Sequence, residues 1–279
     1  MTPSYRKEQW AEMSIEIERK GRTFIVRINR PDALNALDVE SMIAVNAAMR
    51  TFRDDPELVV AVITGTGERA FCTGADLKRT LPTDASFAQT YFQPYEQAVE
   101  AGLYVRAITL SELDINKPLI AAINGHALGG GAEMALDCDI RIASTSATFG
   151  LPEARWASVP AVGGVSKLLR AVPRAIAMQM LLTGDKIDAT EAQRVGLVSE
   201  VVAPDQLLPR ALEIADRIAA NGPLAVRSIK TLAMRTEDLP LSRSVELEQL
   251  LWGILRDTHD RVEGRIAFAE RRPPEYQGR

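Results

Sequence analysis

Two uninterrupted apolar runs, residues 58–64 and 118–123, each lead into a glycine-bearing turn. Neither run alternates apolar with polar residues, so both faces of each must be buried, as in the middle of a parallel sheet. The turns are Phe71-Cys72-Thr73-Gly74-Ala75-Asp76 and Asn124-Gly125-His126-Ala127-Leu128-Gly129-Gly130-Gly131-Ala132-Glu133. Glycine lets the chain turn tightly and lets a ligand come close to bare backbone N–H groups. The second turn sets the carboxylate of Glu133 just behind its glycines. Two fixed donors beside a base suit chemistry next to an activated carbonyl, where negative charge develops on oxygen.

Around these turns the chain alternates strand and helix. Ile15-Glu16-Ile17-Glu18, a break at Gly21, and Phe24-Ile25-Val26-Arg27-Ile28 predict a hairpin. Asp38 is placed to cap a helix over 39–53 whose apolar stripe is Met42, Val45, Ala48, Met49 and Phe52. Residues 91–113 read as an irregular helix. A helix is expected to begin at 131, a strand at 139–143, and helices after Gly163 and Pro173. Asp188-x-x-Glu191 predicts a capping box on a short helix closed by Gly196, and 198–202 a last strand. From 205 onward only helices are expected, over 207–220, 223–235, 244–256 and 260–271. The chain therefore divides into a strand–helix core over 1–204 and a helical region over 205–279, a mostly parallel α/β fold with right-handed crossovers.

Composition narrows the classes. The chain has 279 residues, 46% of them hydrophobic and 25% charged, as in a soluble protein with a sizeable core. A net charge of −4 argues against a nucleic-acid or anionic-membrane surface. Two cysteines and two histidines make no zinc constellation and fit a reduced, cytoplasmic setting. Cys72 has no acid–histidine partner nearby, so it reads as a small buried residue rather than a nucleophile. Residues 1–13 carry no apolar signal region, and no run of about 18 apolar residues exists for a membrane span.

Six segments, in order, resemble the crotonase superfamily, the enoyl-CoA hydratase and isomerase family. Arg30-Pro31-Asp32-Ala33-Leu34-Asn35-Ala36-Leu37 is similar to its N-terminal signature. Residues 70–78 and 124–139 resemble its two oxyanion segments. Phe149-Gly150-Leu151-Pro152-Glu153, with Gly163-Gly164 downstream, resembles its second acidic segment. Leu182-Thr183-Gly184 with 192–198, and Glu263-Gly264 with Ala267-Phe268 and Arg271-Arg272, are similar to its later junction and C-terminal helix.

The resemblance implies a spiral of ββα units with C-terminal helices that mediate trimers, often paired as hexamers. It implies an acyl-coenzyme A thioester as substrate and no resident cofactor. By matching position, the N–H groups of Ala75 and Gly130 form the oxyanion hole, and Glu133 and Glu153 are the catalytic carboxylates. Leu34 and Ala36 border the adenine pocket. Asp76 and Leu77 stand beside Lys78, which reaches the coenzyme A phosphates, and Arg271 reaches the nucleotide across a subunit boundary. Asp76 also reads as a turn-fixing carboxylate, and His126 as structural.

The chemistry explains these residue types. A thioester α-proton is too weakly acidic for a carboxylate to remove unaided, and each backbone donor to the enolate oxygen is worth about 3–4 kcal/mol of barrier. Adding water across the neighbouring double bond needs a base for the water and an acid for the α-carbon, work that two carboxylates divide if their pKa values are pushed apart. The expected activity is hydration of a 2-enoyl-CoA or the reverse dehydration. The alternatives are isomerisation, carnitinyl-CoA dehydratase-like chemistry, decarboxylation, thioester hydrolysis, or acyl-CoA binding without turnover. One departure from the family pattern bears on the substrate. Ala157 and Ala161 stand where glycines are usual after the second glutamate, and Trp156 adds bulk beside them, which is expected to narrow the pocket or shift the water site.

Overall fold

The computed structural model describes residues 14–80, 86–94, 97–98 and 103–279. The expectation for residues 1–13 lies outside these. The hairpin forms as β1 (Ile15–Lys20) and β2 (Thr23–Ile28), with Ile15 opposite Ile28. Asp38 opens α1 (Val39–Asp54) by accepting the Ser41 N–H at 3.0 Å. The apolar stripe of α1 is buried as expected, and Phe52 stacks on Phe24 with centroids 5.9 Å apart. In chain order follow β3 (Val60–Gly65), β4 (Ala70–Cys72), α2 (Phe87–Tyr91), α3 (Val105–Ile108), β5 (Leu119–Ile123), β6 (His126–Leu128), α4 (Gly130–Leu136), β7 (Ile140–Ser144) and β8 (Thr148–Gly150). A 3-10 turn over Pro152–Trp156 leads to α5 (Gly164–Ala171), α6 (Arg174–Thr183), β9 (Ile187–Asp188), α7 (Ala189–Arg194) and β10 (Glu200–Val202). Four helices end the chain: α8 (Leu207–Ala219), α9 (Pro223–Thr236), α10 (Leu241–Arg256) and α11 (His259–Glu270).

The strands form two sheets. One has the order β1-β2-β3-β5-β7-β10 and the other β4-β6-β8-β9. Apart from the hairpin and the β8–β9 edge, every pairing is parallel. Three successive strand pairs, β3–β4, β5–β6 and β7–β8, each give their first strand to the large sheet and their second to the small one. The chain therefore spirals, laying one turn on the next, and helices follow the second strands. β3 and β5 are buried along their whole length, as their uniform apolar sequence requires.

Three local expectations are corrected. Residues 71–72 and 126–128, read as parts of turns, are strands of the small sheet. Among the described residues, the 91–113 helix is replaced by the end of α2 at Tyr91, helical residues at 97–98, the short α3 and a 3-10 turn over Ser111–Leu113. The capping box of α7 is half made. Asp188 accepts the Glu191 N–H at 2.8 Å, but the Glu191 carboxylate turns outward to a two-bond pair with Arg194 at 2.6 Å.

Most of the core lies between the two sheets and under α1, α5 and α6. A second cluster seals the outer face of the large sheet, where Leu207, Ala211 and Ala215 of α8 pack on Val60, Val62, Ile120 and Ile142. α10 and α11 instead expose large apolar side chains, including Leu250, Trp252, Ile254, Val262 and Phe268. Among the described residues no helix is long and apolar enough to cross a membrane.

Candidate active site

The first wall of the site begins where β4 ends. The chain turns through Gly74, at φ +83°, onto Ala75. Leu37 N–H donates to Gly74 O and Asp76 N–H donates to Leu37 O, both at 2.8 Å, which makes a parallel bridge between Leu37 and Ala75. The bridge uses the peptide groups that flank Ala75, so the N–H of Ala75 itself points to the opposite side of the strip. The second wall is the start of α4. Gly130 is its first residue, and a first helical residue has no intrahelical acceptor for its N–H. Among the described residues, neither the Ala75 nor the Gly130 N–H meets an acceptor. The two walls touch: a Cβ built on Gly74 would lie 2.8 Å from the Gly130 nitrogen.

Glu133 sits in the first turn of α4 and is 3% exposed. Its Oε1 accepts the N–H groups of Val162 at 2.9 Å and Gly164 at 2.8 Å. Burial raises its carboxyl above the usual range, these two bonds and the Lys167 charge pull it back, and Asp137 adds a small upward push. Lys167 also holds the loop that supplies the two donors. Its ammonium donates to Val162 O at 3.2 Å, to Ser111 Oγ at 2.6 Å and to the Asp137 carboxylate.

Glu153 lies in the 3-10 turn after β8. Its Oε2 is buried and has no hydrogen-bond partner. Burial pushes its carboxyl up to about 7, a backbone bond within the residue opposes this, and the Glu133 charge raises it further. The two acids thus differ in kind: one is anchored by two N–H groups, and the other is unsatisfied, with its carboxyl pushed up to about 7.

Ala75, Gly130, Glu133 and Glu153 line one cavity of about 220 Å³. Met42, Thr73, Leu77, Tyr104, Val105 and Ile108 share the lining, as do Trp156, Val159, Ala161 and Val162. Of the three departures from the family pattern, Trp156 and Ala161 face this cavity and Ala157 does not. Ala157 instead takes a left-handed conformation at φ +53°, where an alanine is strained. A larger hollow of about 560 Å³ opens beside Asp137, Asp139, Lys167 and Lys230, but none of the expected site residues lies in it. Its charges pair among themselves, with Lys230 donating to Asp139 at 2.8 Å.

Leu34 and Ala36 run beside Ala75-Asp76-Leu77-Lys78 at the rim, with Leu77 and Lys78 exposed. Asp76 accepts the Lys78 N–H at 3.1 Å and pairs with Arg30 at 3.1 Å. Arg30 also reaches Asp38 at 3.2 Å and the Ala36 carbonyl, so it clasps the two strips of this rim together. The sequence marks Arg30 only as part of a signature, since Asp38 and Asp76 meet it only in the fold. Arg271 lies apart, exposed at the end of α11, and no contact among the described residues joins it to this rim. Cys72 is fully buried, with its thiol pushed up to about 12 by burial, so it is not a nucleophile here. His126 is held by Thr148 Oγ1 at 2.7 Å. Tyr104, Val105 and Ile108 bring the stretch between 80 and 116 into the lining, where sequence alone singles out no individual residue because the helical pattern there is irregular.

The profile of the enoyl-CoA hydratase/isomerase family matches residues 18–279. Among curated proteins, the (E)-benzylidenesuccinyl-CoA hydratase of Thauera aromatica is 45% identical over 266 residues, covering 95% of this chain and all of that protein. The carnitinyl-CoA dehydratase of Proteus mirabilis is 41% identical over 276 residues, covering 95% of this chain and 99% of that protein. The crystal structure of an enoyl-CoA hydratase from Bacillus anthracis superposes with a TM-score of 0.85 at 34% identity, over 96% of this chain and all of that one. The two-sheet spiral, the paired glycine turns and these full-length matches converge, and the chain belongs to the enoyl-CoA hydratase/isomerase, or crotonase, family.

Proposed function

We propose that the chain is a hydro-lyase that adds water across the 2,3 double bond of a 2-enoyl-CoA thioester, or removes it. The carrying observation is the pair of unlike carboxylates beside two unpaired N–H groups in one cavity. The thioester oxygen accepts from Ala75 and Gly130. Glu133, as a carboxylate, takes a proton from water as the water oxygen bonds to C3. The π electrons of C2=C3 move into the thioester as an enolate, and the two N–H groups stabilise its oxygen. Glu153, protonated, then gives its proton to C2. One proton has entered at Glu133 and one has left from Glu153, so a transfer between them resets the pair. The relatives named as hydratases and dehydratases support this reading. So does the asymmetry of the acids, since isomerisation requires only one shuttle.

The adenine end would lie against Leu34 and Ala36, with Asp76, Leu77 and Lys78 along the rim. Arg271 would serve the site of a neighbouring copy. The exposed apolar surface of α10 and α11 supports assembly, as homotrimers or pairs of trimers, through the region after 204. In that division α8 belongs energetically with the sheet it covers. Two buried, unpaired thiols support a cytoplasmic setting.

The test follows loss of conjugated absorbance with crotonyl-CoA and longer 2-enoyl-CoAs. Each of Glu133→Gln and Glu153→Gln is expected to lower kcat by about 10²–10⁴. Turnover that survives in the double variant would rule the pair out. Turnover lost only in Glu133→Gln would favour an isomerase.

A further inference from the structure

We propose that the acyl group this site accepts ends in an uncharged aromatic ring, held against Trp156. The inference rests on the reading of Ala75 and Gly130 as the donors to the thioester oxygen, which fixes where the acyl tail must run. From that oxygen the chain passes the two glutamates and meets the segment that follows Glu153. There Trp156 and Val159 line the cavity together with Tyr104, Val105 and Ile108. Trp156 is 70% exposed and Val159 71%, so most of the indole is left uncovered by the described residues. An indole and a tyrosine ring in one mostly apolar lining suit a flat ring better than a short alkyl end.

Charge narrows the class further. Among the described residues, the lining contains no lysine, arginine or histidine, and its carboxylic acids are Glu133 and Glu153. Of the basic residues next in sequence to lining residues, Arg106 pairs with Glu112 at 3.8 Å, Arg155 with Asp185 and, at 2.9 Å, the Thr183 carbonyl, and Lys78, beside Leu77, is exposed at the rim. Residues 81–102, part of which lies outside the described residues, contain no basic residue either. A second carboxylate on the acyl group would therefore be desolvated beside two acids with no counter-charge. A cationic end is disfavoured for the opposite reason. It would stabilise both glutamates as anions and strip the proton that Glu153 must deliver.

Four saturated, unreactive thioesters test this by calorimetric titration: 3-phenylpropionyl-, butyryl-, glutaryl- and 4-(trimethylammonio)butanoyl-CoA. The phenyl thioester is expected to bind about tenfold tighter than butyryl-CoA, and glutaryl-CoA weaker than butyryl-CoA. Trp156→Ala should reduce the phenyl preference to about threefold or less, and Trp156→Phe should restore it. Equal binding of phenyl and butyryl thioesters would overturn the proposal. So would a preference for either charged end, or a phenyl preference indifferent to Trp156→Ala. Hydration of cinnamoyl- and crotonyl-CoA is read separately. If neither is hydrated while the binding order holds, the hydratase reading falls and the assignment of the acyl group stands.

Discussion

Alanine at position 74 isolates what the oxyanion turn requires of the backbone. Gly74 has φ +83°, and a Cβ there would lie 2.8 Å from the Gly130 nitrogen and 3.1 Å from the Leu128 carbonyl oxygen. Both distances fall inside the 3.4 Å at which ordinary contact begins, and both contacts are backbone, so one wall of the site must move. The left-handed conformation alone costs an alanine about 1–2 kcal/mol. Overpacking adds about 1–3 kcal/mol. The matched control is Gly196→Ala. Gly196 has φ +81°, almost the same conformation, and nothing stands within 4 Å of its added Cβ. That variant carries the strain without the clash, so its Tm should fall by about 2–8 °C.

The catalytic consequences separate the two variants. In Gly74→Ala the Gly130 donor is displaced or covered, and losing one such donor lowers kcat by about 10²–10³. Gly196→Ala should keep wild-type kcat at temperatures below its transition. The assay is turnover of whichever 2-enoyl-CoA the wild type hydrates fastest, at 25 °C, with folding checked by thermal unfolding. A folded Gly74→Ala protein within about threefold of wild-type kcat would refute the assignment of the Gly130 N–H to the oxyanion. Equal catalytic loss in both variants would trace the effect to global softening instead.

Four further outcomes follow from the same geometry. Hydration needs the proton on Glu153, whose carboxyl is pushed up to about 7, so kcat/KM should fall about tenfold per pH unit above that value. Because forward and reverse reactions use tautomers with the same number of protons, dehydration should show the same pH profile; profiles that differ in shape would sink the shared-proton scheme. The same raised carboxyl means the folded chain holds this proton more tightly than the unfolded one, so stability from it is present below 4.5 and is lost as pH rises through about 7. Glu153→Gln should therefore gain Tm over wild type at pH 8 and not at pH 4, by scanning calorimetry. Lys167→Met removes the cation that lowers the Glu133 carboxyl, so the acid limb of kcat/KM should move to higher pH. Charges placed on the exposed face of the last helices, as in Trp252→Glu with Phe268→Glu, should break the assembly into smaller species by light scattering.

The long strands were legible because their whole length is buried. β3 and β5 have no solvent face, so the sequence shows unbroken apolar runs that nothing else explains. The second sheet was not legible, and the reason is geometric. Its strands β4, β6 and β8 are three residues each, and glycine follows soon after or ends each one. A strand that short pairs through only a few backbone groups, and its side chains never complete a readable alternation. Only the stacking of successive spiral turns makes these segments strands. The helical ends of α8–α11 fell within a few residues of expectation, because proline or polar breaks bound them.

The site was legible at its charged and glycine positions and silent about what holds them. Glu133 and Glu153 lie twenty positions apart in the sequence, and nothing in that interval says one is anchored and the other is not. The difference comes from Val162 and Gly164, whose N–H groups meet Glu133 because Lys167 ties the Val162 carbonyl to Asp137 one helical turn below Glu133. Backbone donors are anonymous in a sequence, since every residue but proline carries one. Their placement favours the charged form of Glu133, against the burial that raises it. On the proposed roles, the loop 160–164, which carries no ionisable side chain, therefore helps to set base apart from acid.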